Sequence, residues 1–159
     1  MQNYPAQIAI LCEQRAAVEL FERMHNAKRM TAHGFKAAVG ELQGVGVVLA
    51  AVAGEGQALG AVARALRTAH APELVIGAGF SSSRSADPSQ TMKLGQVCMA
   101  DRVVASSGEA YQFTQHQVNG SWRHETFAEL ENNAAVPEGA TVLNKWCGCV
   151  ARACAEVEL

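Results

Sequence analysis

Apolar and polar positions alternate along the chain in blocks that predict strands and helices in turn. Continuous apolar runs are typical of buried strands, since such runs lack a polar face for solvent. These runs predict buried strands at residues 7–11, 45–52 and 74–77, with further strands at 35–41 and 97–105. The run from Val45 to Val52 consists of Val, Leu and Ala apart from Gly46, and we expect it to be covered on both faces. Gln43 and Gly44 predict a turn within residues 42–46.

Helical spacing is found between these strands. Residues 13–29 carry apolar side chains three and four positions apart, which indicates an amphipathic helix. Residues 57–70 are rich in alanine, and Pro72 follows as a stop signal. Thr126 and Glu129 suggest a capping box for a short helix over 126–134. A last helix is predicted over 145–158.

The alternation of strand, helix and strand predicts an α/β layered sheet. The chain of 159 residues contains neither an internal repeat nor a low-complexity linker. We therefore expect one domain over residues 1–159.

Composition narrows the classes of function. The formal net charge is −2 and the basic residues are scattered, so we expect no nucleic-acid partner. Polar or glycine positions interrupt every apolar run, so no membrane-spanning segment is expected. The N-terminus lacks the positive region of a signal peptide. Five cysteines, most of them in apolar surroundings, suit a reducing cytoplasm better than a disulfide framework or a metal site.

A glycine turn, Gly54-Glu55-Gly56, follows the strand at 45–52 and opens the alanine-rich helix. This context permits a dinucleotide loop, although the glycine spacing is one residue longer than the usual fingerprint. It also permits an anion site, in which backbone N–H groups at the helix start meet the ligand. The third interpretation is a plain strand-to-helix turn. No Gly-Lys-Ser/Thr follows, which excludes a P-loop.

A second glycine turn, within "IGAGFSSS" at 76–83, also follows a predicted strand. Ligands of open α/β sheets bind at the carboxyl ends of the strands. Because both turns lie at such ends, we expect them to face the same crevice.

Four segments in this order resemble the nucleoside phosphorylase and nucleosidase superfamily, which includes purine nucleoside phosphorylase, uridine phosphorylase and methylthioadenosine/S-adenosylhomocysteine nucleosidase. Family members show an "I-x-I" strand, a "G-x-G" turn before an alanine-rich helix, "P-x-x-V-I-x-x-G-x-A-G-G", and "L-x-x-G-D-V-V-V-x-D". The corresponding segments here are "IAIL" at 8–11, "AGEGQALGAVARAL" at 53–66, "APELVIGAGFSSS" at 71–83, and "MKLGQVCMADRVV" at 92–104.

The resemblance implies a three-layer α/β fold with a twisted, mixed central sheet flanked by helices. It also implies cleavage of a nucleoside's N-glycosidic bond by water or by inorganic phosphate as co-substrate, with no other cofactor and no metal. A small-molecule nucleoside is the expected ligand, and a homo-oligomer the expected assembly.

Carried over by position, Gly54 and Gly56 match the first glycine turn and Gly79 matches the second. The family places Ser or Thr after this glycine, as a hydroxyl near the phosphate or water. Phe80 stands there in this chain, and Ser81 follows it.

We expect Ser81, Ser82 and Ser83 to supply the hydroxyl that Phe80 lacks, and Arg84 to supply positive charge. The family's acidic residue near the first helix aligns with an alanine, so Glu13, about one turn earlier, is the candidate for holding the attacking water.

The family's later "V-E-M-E" and "S-D-x-A-D" segments have no complete match, and Val157-Glu158 is a faint likeness to the first. We therefore expect a divergent member that lacks the family's C-terminal portion. Two alternatives remain: a catalytically silent nucleoside-binding or oligomerisation homologue, and a dinucleotide-dependent oxidoreductase.

Overall fold

The structure is a computed structural model. It describes residues 6–32, 35–52, 62, 65, 66, 68–83, 93–113, 123–129, 139–144 and 147–156. The chain divides into two compact units, of which the first comprises Met1–Gly79 with Arg152–Leu159 and the second comprises Phe80–Ala151. The prediction of a single domain stays a prediction.

Ten strands and two helices have defined bounds. The elements of the first half are β1 (Ile8–Glu13), α1 (Gln14–Arg23), β2 (His25–Ala32), β3 (Phe35–Leu42), β4 (Val45–Val52) and β5 (Leu74–Ala78). Those of the second half are β6 (Ser82–Ser83), β7 (Cys98–Val104), β8 (Ala110–Gln112), β9 (Arg123–Glu129), β10 (Val142–Asn144) and α2 (Cys147–Glu156). Residues 62, 65, 66 and 68–70 are also helical, in agreement with the helix predicted over 57–70.

The first unit contains a five-stranded sheet in the order β2-β3-β4-β1-β5. Strand β1 runs parallel to both β4 and β5, while β3 is antiparallel to β2 and β4. The central strands bury their apolar runs: Leu11, Cys12 and Val48 are fully buried. The prediction that residues 45–52 are covered on both faces is confirmed for consecutive residues Val47 to Ala50, all of which are buried.

The predicted turn between β3 and β4 is also confirmed. Gln43 has φ 51° and Gly44 has φ 79°. Two successive left-handed residues form the tight hairpin turn that matches the twist of antiparallel strands.

Two predictions in this unit are wrong in part. The helix predicted over 13–29 ends at Arg23, and residues from His25 onward form β2. Asn26 has a φ of 54°, which is incompatible with a right-handed helix. The register between β2 and β3 also shifts between His25 and Lys28. The strand predicted at 74–77 is present but is not buried, because β5 pairs with β1 at the edge of the sheet and leaves Ile76 38% exposed.

The second unit contains a five-stranded sheet in the order β6-β10-β9-β7-β8. The three central strands β10, β9 and β7 are parallel, and the outer strands β6 and β8 are antiparallel to their neighbours. Helix α2 follows β10, which confirms the predicted last helix over the described residues 147–156.

The helix predicted over 126–134 is wrong for its described part. Residues Arg123–Glu129 form strand β9, which lies between β7 and β10. Thr126 and Glu129 therefore form no capping box. Glu125 and Glu129 are buried in the strand, each with hydrogen-bond or ionic partners, so their polarity does not mark a solvent-facing helix surface.

Mixed parallel and antiparallel sheets with helices confirm the predicted α/β fold class. Within the part of the chain that the structure describes, no helix is long and apolar enough to cross a membrane.

Candidate functional site

The parallel strands of the first unit end together at one edge of their sheet. Glu13, the last residue of β1, lies beside Val52, the last residue of β4, and Cys12 lies beside Ala78 at the end of β5. Gly79 follows β5 directly. Gly54 and Gly56 follow β4 but lie outside the described residues, so the anion-site and dinucleotide-loop interpretations of that turn stay predictions.

Glu13 occupies the position before helix α1 and is partly buried, with extended backbone angles. Its negative charge acts on the neighbouring Cys12 thiol. Burial, the larger cause, and the Glu13 carboxylate, the smaller one, together raise the pKa of Cys12 to about 11. Cys12 therefore stays protonated at neutral pH and is not a nucleophile, since the thiolate is the reactive form.

The predicted residues of the second glycine turn are exposed. Phe80 is 61% exposed, and Ser81 and Ser82 are also open to solvent. Ser82 begins strand β6, which pairs with β10. Arg84 lies outside the described residues.

Sequence reasoning missed Asn144, a buried side chain at the end of β10. Its Nδ2 group donates to the carbonyl oxygen of Phe80 at 3.0 Å and to Oγ of Ser81 at 3.1 Å. The structure thus brings together the Phe80-Ser81 turn and the carboxyl end of β10. The available signal was an asparagine that ends a short apolar run just before a helix.

A buried carboxylate lies at the same edge of this sheet. Glu129 ends β9 and is paired in register with Asn144. Its Oε2 accepts hydrogen bonds from the backbone N–H of Ser106 at 3.1 Å and from Oγ of Ser106 at 3.0 Å. Asn144, Glu129 and Ser106 are the polar residues at the carboxyl ends of β10, β9 and β7, where ligands of such sheets bind.

Helix α2 begins against this carboxylate. A Cβ atom built on Gly148 would lie 2.5 Å from Oε2 of Glu129 and 2.9 Å from Cα of Ala105. The absence of a side chain at Gly148 therefore permits the carboxylate to reach the first turn of the helix. A negative charge is favourable there, because the helix N-terminus carries partial positive charge.

A second polar group lies farther back along β9. Thr141 Oγ1 donates to Oε2 of Glu125 at 2.5 Å, and Nη2 of Arg123 lies 2.6 Å from Oε1 of the same carboxylate. Burial raises the pKa of the nearby Cys98 thiol, Glu125 raises it further, and Arg123 lowers it. Because this group lies away from the carboxyl ends of the strands, we assign it to stability.

No group of three or more His, Cys, Asp or Glu side chains that could hold a metal ion is present among the described residues. The described cysteines Cys12, Cys98 and Cys147 form no disulfide bond.

Solved structures of nucleosidases share this architecture. The 5′-methylthioadenosine/S-adenosylhomocysteine nucleosidase of Colwellia psychrerythraea, solved in complex with adenine, matches with a TM-score of 0.79 over 99% of this chain and 80% of its own, at 13% identity. The corresponding nucleosidase of Streptococcus pneumoniae, solved with a transition-state inhibitor, matches with a TM-score of 0.76 over 96% and 80%, at 12% identity.

A futalosine hydrolase mutant of Helicobacter pylori also matches, with a TM-score of 0.70 over 97% of this chain and 85% of its own, at 13% identity. No protein-family model and no curated protein sequence matches the chain. The structural matches confirm, at the level of the fold, the resemblance seen in the sequence motifs: the chain has the fold of these nucleosidases and of futalosine hydrolase.

Proposed function

We propose that the chain cleaves the N-glycosidic bond of a purine-type nucleoside, as an enzyme of nucleoside metabolism or salvage. The observation that carries the proposal is the match over 99% of the chain to a nucleosidase that binds adenine. The described carboxyl ends of the strands in the second sheet support it, since Glu129 and Asn144 lie there side by side on parallel strands.

Cleavage of this bond leaves positive charge on the ribosyl group and negative charge on the departing base. An oxygen nucleophile must therefore be held near the anomeric carbon in the correct orientation. We assign Glu13 to holding and activating that nucleophile and Ser81 to orienting it by a hydrogen bond. The backbone of Gly54, Gly56 and Gly79 would line the anion side of the pocket.

The remaining residues of the second turn complete the proposed pocket. Ser82 adds a hydroxyl, Arg84 adds positive charge toward phosphate, and the exposed ring of Phe80 adds an apolar surface. Inorganic phosphate is the proposed co-substrate. We also propose that the protein works in the cytoplasm as a homo-oligomer, as expected from its sequence.

The test is release of free base from adenosine, methylthioadenosine, inosine and uridine, with and without phosphate. Release that requires phosphate identifies a phosphorylase, and release without it identifies a nucleosidase. We expect Glu13→Gln and Ser81→Ala each to lower kcat by roughly 100-fold, the size typical for loss of a group that acts on the transition state. Ser107→Ala is the matched control, because Ser107 is an exposed serine in the turn after β7.

A catalytically silent nucleoside-binding homologue is the second candidate. The observation that favours it is Phe80, which places an exposed apolar ring where the family has a hydroxyl. Calorimetric titration with adenine separates the two candidates. Binding of adenine without release of base from any of the four nucleosides would support the silent homologue and contradict the enzyme.

A further inference from the structure

The amide of Asn144 has only one orientation that satisfies its neighbours. The carbonyl oxygen of Phe80 lies 3.0 Å from the amide nitrogen and only accepts hydrogen bonds. A reversed amide would bring two acceptor oxygens together at this distance. The Nδ2 group therefore faces the turn, and the same group donates to Oγ of Ser81.

This bond restricts how the Ser81 hydroxyl is used. A hydroxyl has one hydrogen to donate and two lone pairs to accept with. Because Oγ accepts from Asn144, the hydroxyl hydrogen points away from Asn144 and is left for another acceptor. Ser81 is an exposed residue, so a ligand can reach it.

Asn144 is itself fixed by its surroundings. It is 6% exposed, and it ends a strand that pairs with β9 on one side and with β6 on the other. The thiol of Cys147 donates to the carbonyl oxygen of Asn144 at 3.6 Å. A donor that is held in place before a ligand arrives loses little freedom when the ligand binds, which is the condition for effective orientation.

We propose that Asn144 is a positioning residue that makes Ser81 a directed hydrogen-bond donor to the attacking oxygen, whether that oxygen belongs to water or to phosphate. Ser81 thereby supplies the hydroxyl that Phe80 lacks at the preceding position. This inference rests on the proposed cleavage of nucleosides.

A double-mutant cycle between Asn144 and Ser81 tests the inference. Asn144→Asp keeps the shape of the side chain but replaces the donor with an oxygen that repels the Phe80 carbonyl. We expect it to lower kcat roughly 10- to 100-fold with little change in KM, because a small displacement of an orienting group costs about this much. In the Ser81→Ala background the same substitution should change kcat by about twofold or less, because the group through which it acts is gone.

Two further variants and one stability measurement keep the outcome clear. Ser81→Thr retains the hydroxyl and should retain most of the activity that Ser81→Ala loses. Gln112→Glu is the control for an amide-to-carboxylate change, since Gln112 is exposed on the outer strand β8. Thermal unfolding followed by circular dichroism reports whether Asn144→Asp folds.

The outcomes separate the inference from the proposed function. Wild-type protein that releases no base with or without phosphate overturns the proposed function, and the inference with it. An active wild type whose kcat is unchanged by Ser81→Ala overturns the inference alone, even where Asn144→Asp does not fold. The inference is also overturned if the two substitutions lower kcat by factors that simply multiply in the double variant. A large effect of Asn144→Asp that disappears in the Ser81→Ala background supports it, and the phosphate arms then identify the oxygen.

Discussion

The two units of the chain bury different kinds of side chain. The first unit surrounds β1 and β4 with alanine, valine, leucine and the neutral thiol of Cys12. The buried polar or charged residues described by the structure are Glu125, Glu129 and Asn144, all of which belong to the second unit.

The difference changes what holds each unit together. Apolar burial is non-directional and tolerates small shifts of side chains. A buried carboxylate is stable only when donors surround it, so its position depends on particular atoms. Glu129 depends on Ser106 and on the space at Gly148, while Glu125 depends on Thr141 and Arg123. We therefore expect the second unit to be the more sensitive to single-atom changes.

The largest effect is expected from Gly148→Ala. The added Cβ would meet the Glu129 carboxylate and the Ala105 backbone, so we expect a loss of about 2–3 kcal/mol in the free energy of unfolding. Helix propensity alone would raise the free energy of unfolding by about 1 kcal/mol. A measured decrease would therefore support the contact with Glu129, and an increase would contradict it. Urea unfolding followed by circular dichroism measures the change.

Gly40→Ala is the matched substitution in the first unit. Its Cβ would lie 2.9 Å from the carbonyl oxygen of His25 and 3.0 Å from the flexible end of Met24, with no carboxylate among these nearest atoms. We expect a smaller loss than for Gly148→Ala. An equal or larger loss at Gly40 would remove the distinction between the two units.

A smaller effect is expected from Thr141→Val. This substitution preserves shape but removes the hydroxyl that donates to buried Glu125. Loss of a hydrogen bond to a charged group should cost about 1.5–3 kcal/mol, here toward the lower value because Arg123 still faces the carboxylate. Thr126→Val, on the partly buried face of β9, serves as control and should change stability by less than about 0.5 kcal/mol. Equal effects of the two substitutions would contradict the role of the Thr141 hydroxyl.

The same contrast explains which elements could be predicted from the sequence. Strands β1 and β4 are continuous apolar runs, and Gln43-Gly44 is a turn signal carried by the two residues themselves. Strand β9 carries two buried carboxylates, Glu125 and Glu129, that lie four residues apart, a spacing that also fits a helix. Hydrogen bonds from residues 16 and 23 positions away help to make those carboxylates acceptable inside a sheet, and local spacing does not reveal them.

In the candidate site, too, features carried by neighbouring residues could be predicted, whereas contacts between residues distant in sequence could not. The exposed turn at Phe80 and Ser81 follows directly from the glycine pattern and the family motifs. Asn144 could not be found this way, because its bond to Ser81 joins residues that are 63 positions apart. Local spacing predicts Glu129 as a helix-capping residue, but in the structure its carboxylate accepts a hydrogen bond from Ser106, 23 residues away.

Thiol reactivity compares the two units without changing their packing. The pKa of Cys12 is about 11 against an ordinary value of 9.0, so at pH 8 it has roughly one hundredth of the usual thiolate. Cys98 is partly exposed, and we expect iodoacetamide to modify it well before Cys12, as measured by peptide mass spectrometry. Both rates should rise with pH as the thiolate fraction grows.

Arg123→Met sharpens this last comparison. It removes the cation that lowers the pKa of Cys98, so the thiolate fraction falls and modification of Cys98 should slow at pH 8. The rate at Cys12, whose pKa depends on burial and Glu13, should stay unchanged. Faster modification of Cys98 in this variant would mean that loss of the ion pair with Glu125 has opened β9. The charge at Arg123 would then matter for the packing of the second unit rather than for the protonation of one thiol.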